Sequence, residues 1–129
     1  MVDFVLVMLI LVPLFAAIVQ LGFTLYVRNT LAACAQEGAR YGADADFVSQ
    51  GADVVVAQAT QRATTCIDSS LPARYSQAVT AAPADSTVNG VAVPVVDVRV
   101  DAPVPVFGTW ALGGNTITVK GDALQEQVP

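Results

Sequence analysis

Residues 4–27 read FVLVMLILVPLFAAIVQLGFTLYV, 24 consecutive positions without a charge. As an α-helix this run rises roughly 36 Å at about 1.5 Å per residue. That is enough to cross a hydrocarbon core of about 30 Å, so 4–27 reads as a membrane span. Pro13 inside it removes one backbone hydrogen bond and crowds the carbonyl four residues earlier, which predicts a loosened or kinked turn. Asp3 sets a carboxylate at the start of the run, where a helix N-terminus favours negative charge.

The helical pattern continues beyond Val27. Phe23, Val27, Leu31, Cys34, Gly38 and Tyr41 recur at steps of three and four, with Arg28, Asn29, Gln36, Glu37 and Arg40 between them. One helix to about Ala43 follows, and its second half must pack on something outside a bilayer. Glu37 and Arg40 are spaced for a surface pair worth a few tenths of a kcal/mol.

Further along, Ser49 is a fair N-cap and Asp53 falls in a first turn, while Val55, Ala59, Ala63 and Cys66 form a stripe, so a second helix is expected over about 49–70 and Pro72 ends it. Residues 72–87, rich in Ala, Ser and Pro, read as a loop. The period then changes to two. Val96, Val98 and Val100 alternate with Asp97, Arg99 and Asp101, and Ile117 and Val119 alternate with Thr116, Thr118 and Lys120. Strands are expected over about 91–101 and 115–124, with a short one near Val91 and Val93 after the turn-like Asn89-Gly90. The Pro and Gly of 102–114 break a ladder, and Phe107 and Trp110 within it read as anchors over the sheet.

Composition narrows the function. The apolar fraction is 54% and the mean hydropathy +0.58, an excess concentrated in the first 27 residues. The net charge is −5 with no basic cluster, which argues against nucleic acid as a partner. The absence of His removes the commonest general base and metal ligand. Two Cys do not close a zinc site unaided. No phosphate loop or nucleophile elbow is present, and the Asp44, Asp46 and Asp53 group lacks the Gly and distal Glu of a calcium loop. No enzyme, metal or cofactor is expected.

Cys34 and Cys66 lie on the apolar stripes of the two helices, which an antiparallel pairing would bring face to face. A disulfide there closes a loop of about 33 residues and contributes about 3 to 4 kcal/mol on the chain-entropy account; two buried thiols are the alternative. Leu31-Ala32-Ala33-Cys34 also spells a lipobox, but Arg28, Asn29 and Thr30 separate it from the apolar run and no basic residue precedes that run, as a signal peptide requires.

Asp3-Phe4, Leu11-Val12-Pro13-Leu14, the stretch from Leu25 to Leu31 and above all Glu37-Gly38-Ala39-Arg40-Tyr41-Gly42-Ala43 resemble the TadE-like pilin family. The resemblance covers residues 1 to about 46. It implies an α+β pilin-like fold: a long hydrophobic N-terminal helix over 1–46, and an extracytoplasmic domain over 47–129 whose shorter helix packs on the first helix's C-terminal half beside a small antiparallel sheet. It implies a precursor in the cytoplasmic membrane, trimmed of a basic leader by a prepilin peptidase and built by an assembly machinery into an extracellular tight-adherence pilus with copies of itself and other pilins.

Pilin-like proteins carry an acid, usually Glu at the fifth mature position, facing the amino terminus of a neighbour. Here Asp3 takes that place, two positions early, with the α-ammonium of Met1 as the implied partner and Phe4 and Pro13 in the assembling helix. Pairing offsets the cost of burying each charge among apolar helices. Arg28 after the span, with nothing basic before it, would by the positive-inside rule put the C-terminal part in the cytoplasm, whereas a disulfide requires the outside. The other reading is a membrane-anchored extracytoplasmic binding module that never polymerises.

Overall fold

The computed structural model describes residues 2–104 and 116–125. Helix α1 spans Val2–Gly42, a turn of helix α2 spans Ala45–Val48, and α3 spans Ala52–Ser70. A 3-10 turn at Ala73–Tyr75 leads into strands β1 (Val79–Val88), β2 (Val91–Pro103) and β3 (Thr116–Leu124). The strands form one antiparallel sheet in the order β1-β2-β3. The fold is α+β: a long helix, a shorter one and a small sheet.

Only the upper half of α1 takes part in a core. Val27, Leu31, Cys34, Ala35 and Ala39 are buried there, together with Val55, Ala59, Ala63 and Ile67 of α3 and the inward row Val96, Val98, Val100 and Ala102 of β2. Tyr75 closes this core after α3; its ring is buried, its hydroxyl accepts a hydrogen bond from Arg74 Nη2 at 3.0 Å, and the Arg74 guanidinium lies over the ring. Small residues set the spacing. A Cβ on Gly38 would meet the Ala59 carbonyl and the Ala63 Cβ at 2.7 Å, and one on Gly42 the Ala59 Cβ at 2.6 Å. The two helices therefore touch backbone to side chain through a glycine pair one turn apart.

Several expectations need correction. Residues 79–88 are strand, not loop: β1 pairs with β2 residue by residue from Val79 opposite Val100 to Val88 opposite Val91. Its turn is Asn89-Gly90, with φ of 53° and 81°, the left-handed pair that suits a two-residue hairpin. Pro83 is tolerated because β1 is an edge strand. The short strand at Val91 and Val93 is the first part of β2, which runs unbroken through Pro94 to Pro103. Pro94 costs the β1 ladder nothing, since its carbonyl accepts from Gln125 N–H on the β3 side and the N and O of one strand residue point the same way. Ala102 and Pro103 still pair, opposite Ile117 and Thr116.

The start of α3 also differs. Gly51, at φ 114°, precedes it, and no side chain caps it; Ser49 instead donates to the Asp46 carbonyl at the end of α2. The extra turn is explained by Phe47 and Val48, which pack on the core and use up the residues before Gly51. At the other end Leu71 is extended, as a residue before proline must be, and its N–H closes on the Ile67 carbonyl at 2.7 Å. The helix assignment of α1 runs through Pro13. Phe107, Trp110 and Asn115 lie outside the described residues.

Candidate assembly surface

Below Val27, Phe23 packs against the core, but the rest of this part of α1 is largely uncovered by the described residues. Large apolar side chains from Phe4 to Leu21 stand in the open, Leu9 at 69% and Phe15 at 68% of full exposure. α1 is long and apolar enough to cross a membrane, and its most apolar window has no buried residue. Its backbone is satisfied internally, and the Thr24 hydroxyl is too, donating to the Gln20 carbonyl at 2.9 Å. The projecting half thus offers a nearly pure hydrocarbon surface, far beyond the few hundred Å² that a soluble monomer tolerates.

Asp3, Phe4 and Pro13 all lie exposed on this half. Strung along the helix, they lie away from the folded part among the described residues. Met1 lies outside the described residues.

The upper half is held by a clasp. A disulfide joins Cys34 on α1 to Cys66 on α3, with their Cα atoms 5.5 Å apart. One turn further along, Arg62 Nη2 and Nε stand 2.6 Å and 2.9 Å from Glu37 Oε1. This corrects the Glu37–Arg40 pairing, for α3 brings Arg62 to Glu37 from directly across. The Arg62 guanidinium also lies 5.6 Å over the Tyr41 ring, which packs on Phe47 at 5.2 Å. On the opposite side Gly121 of β3 sits on the α1 backbone: a Cβ there would fall 2.4 Å from the Ala35 carbonyl carbon and from Gln36 N. Gln36 Nε2 donates to the Asp122 carbonyl at 2.7 Å.

The segment Glu37–Ala43 thereby acquires a reason at almost every position. Glu37 meets Arg62, Gly38 and Gly42 admit α3, Ala39 and Ala43 are buried, and Tyr41 receives the guanidinium. Sequence reading missed Arg62, Ile67, Tyr75 and Gly121. A signal existed for the helix pair alone, since Gly38 and Gly42 match Ala59 and Ala63 in spacing.

Among the described residues no three of His, Cys, Asp and Glu gather into a metal-binding group. Asp44 is engaged by the Asp46 N–H at 3.2 Å, at the start of α2. On the outer face of the sheet Asp101 accepts from the Thr118 hydroxyl and from Arg99 Nε at 3.0 Å. The Thr118 hydrogen bond first, then those from Arg99, hold its carboxyl below the usual Asp value.

No curated protein and no solved structure matches the chain. Residues 1–40, which make up almost all of α1, match the family model described as TadE-like protein.

Proposed function

We propose that the chain is a structural subunit of an extracellular Tad-type pilus. It waits in the bacterial cytoplasmic membrane, then leaves the bilayer by burying the lower half of α1 against the same helix in neighbouring copies. One observation carries this reading. Among the described residues the folded part wraps only the upper half of α1, leaving the hydrocarbon from Phe4 to Leu21 exposed, and the match covers that same helix. A lone anchor needs lipid alone, whereas a polymer replaces lipid with other copies. The assigned partners are other copies, further pilins, a prepilin peptidase and an assembly machinery, and the function is structural rather than enzymatic.

Asp3, at the tip of the buried helix, needs a cation once lipid headgroups and water are gone, and the amino terminus of a neighbouring copy takes that role. Pro13 marks where the helix yields during the transfer out of lipid. Negative-stain microscopy of sheared surface material, with antibody to this chain, tests the proposal. Thin labelled fibres are expected. A chain found solely as a monomer in the membrane fraction would establish the anchored, non-polymerising module instead.

A further inference from the structure

We infer that Arg28 of one copy docks beside Asp3 of a second copy. This sets neighbouring chains 25 residues apart along α1 (28 − 3), roughly 38 Å at about 1.5 Å per residue. The inference rests on the assembly reading and adds to it a partner residue and an axial offset.

The charges of α1 are four: Asp3, Arg28, Glu37 and Arg40. Glu37 is taken by Arg62. Asp3 and Arg28 are both exposed, form none of the ion pairs among the described residues, and bound an interval without any charge. Copies packed at equal height would set Asp3 against Asp3 and Arg28 against Arg28, a repulsion that a low-dielectric surrounding strengthens. At the small offset that brings a neighbour's amino terminus to Asp3, Arg28 meets no carboxylate, and at offsets between that and 25 residues Asp3 faces only hydrocarbon of that neighbour, which leaves a carboxylate desolvated and unpaired.

An offset of 25 residues removes both penalties. The apolar run of one copy then begins where that of the next ends, so the runs tile the filament core without a gap, and every junction joins opposite charges. Copies at intermediate heights cover the flanks of the junction and keep water out. The long stem of Arg28 lets its guanidinium reach the carboxylate while its methylenes lie on the apolar run. The two carboxylate oxygens of Asp3 also leave room for the terminal ammonium beside it.

The test uses the full chain in filaments, with membrane insertion of each variant verified by alkaline extraction. Arg28→Glu is expected to lower filament yield more than about tenfold, the loss that goes with removing one partner of a desolvated charge pair. Arg28→Lys, which keeps the charge on a long stem, should retain most of the yield. A photoreactive residue in place of Asn29 should crosslink, within filaments, to peptides around Asp3 of another copy. Three results would overturn the inference: Arg28→Glu filaments at wild-type yield, Arg28→Lys filaments as scarce as those of Arg28→Glu, or crosslinks confined to lipid or to residues near 29 in the second copy. Wild-type cells without fibres would instead defeat the assembly reading itself.

Discussion

Gly121 of β3 rests on the main chain of Ala35 in α1, so close that a single added methyl carbon would lie 2.4 Å from the Ala35 carbonyl carbon. Neither backbone can retreat cheaply. Val119 beside Gly121 is buried, and Ala35 is held between Leu31 and Ala39, also buried. Gly121→Ala should therefore destabilise the folded part by about 2 to 3 kcal/mol, the upper range for overpacking. Thermal unfolding of the detergent-solubilised chain, followed by circular dichroism, measures it, and an unchanged midpoint would refute the close approach.

The α1–α3 contact permits a comparison of magnitudes. Gly38→Ala gains about 1 kcal/mol of helix propensity but drives a methyl group against the Ala59 carbonyl and the Ala63 Cβ, each 2.7 Å away, at about 1 to 3 kcal/mol. A net loss near 1 kcal/mol is expected. Glu37→Gln removes an ion pair whose partners are about half exposed, worth about 0.2 to 1 kcal/mol and reduced by salt. Steric fit should thus outweigh charge, and denaturation of both variants at low and high salt would show the reverse order if the assignment were wrong.

Much of this was legible beforehand, for reasons that differ along the chain. The uncharged run from Phe4 to Val27 and the three-four spacing up to Tyr41 are local signals, and α1 ends at Gly42, within a residue of the expected end. The alternation in Val96, Val98 and Val100 is equally local and faces the core as read. β1 was not legible because Ala82, Pro83, Asp85 and Ser86 carry little strand preference; pairing with β2 makes it a strand. Arg62, Tyr75 and Gly121 act through contacts between distant segments, which no window along the chain contains. Asp3 and Pro13 were visible as anomalies, yet both lie exposed and outside the core among the described residues of a single chain.

The Cys34–Cys66 link should dominate the stability of so small a core. Its loop of about 33 residues predicts a loss of about 3 to 4 kcal/mol on reduction or in the Cys34→Ala, Cys66→Ala double variant. Intact mass spectrometry should show a gain of two hydrogens upon treatment with reductant, and alkylation without reductant should label neither thiol. Labelling of both cysteines in untreated material would contradict the bridge.

Asp101 links stability to acid. Its carboxyl titrates below the ordinary Asp value because Thr118 and Arg99 hydrogen-bond its ionised form. A depressed folded-state pKa contributes stability above the unfolded value, near about 3.9, and loses it as the pH falls through the lower folded value. The contribution is present at neutral pH, and its loss is confined to strongly acidic solution. Carbon-detected NMR titration should place Asp101 below the ordinary Asp value, and Thr118→Val should move it upward more than Arg99→Gln does; the opposite order would show that the guanidinium, not the hydroxyl, sets the shift.

Asp3 gives the sharpest separation between insertion and assembly. In the bilayer its carboxylate sits at the end of α1, exposed and within reach of water and headgroups, so replacing it by a neutral isostere should leave insertion unchanged. In a filament the same group is surrounded by neighbouring helices, where an ionised carboxylate is held only by a cation and where removing one partner of the pair costs several kcal/mol. Asp3→Asn should then cut filament yield by more than about tenfold, since every 1.4 kcal/mol is a factor of ten, while membrane-fraction levels of the chain stay as in the wild type. Asp3→Glu, which keeps the charge on a longer stem, should recover part of the yield. Equal fibre counts for Asp3→Asn and wild type would remove Asp3 from assembly, and loss of the chain from the membrane fraction would place its role in insertion instead.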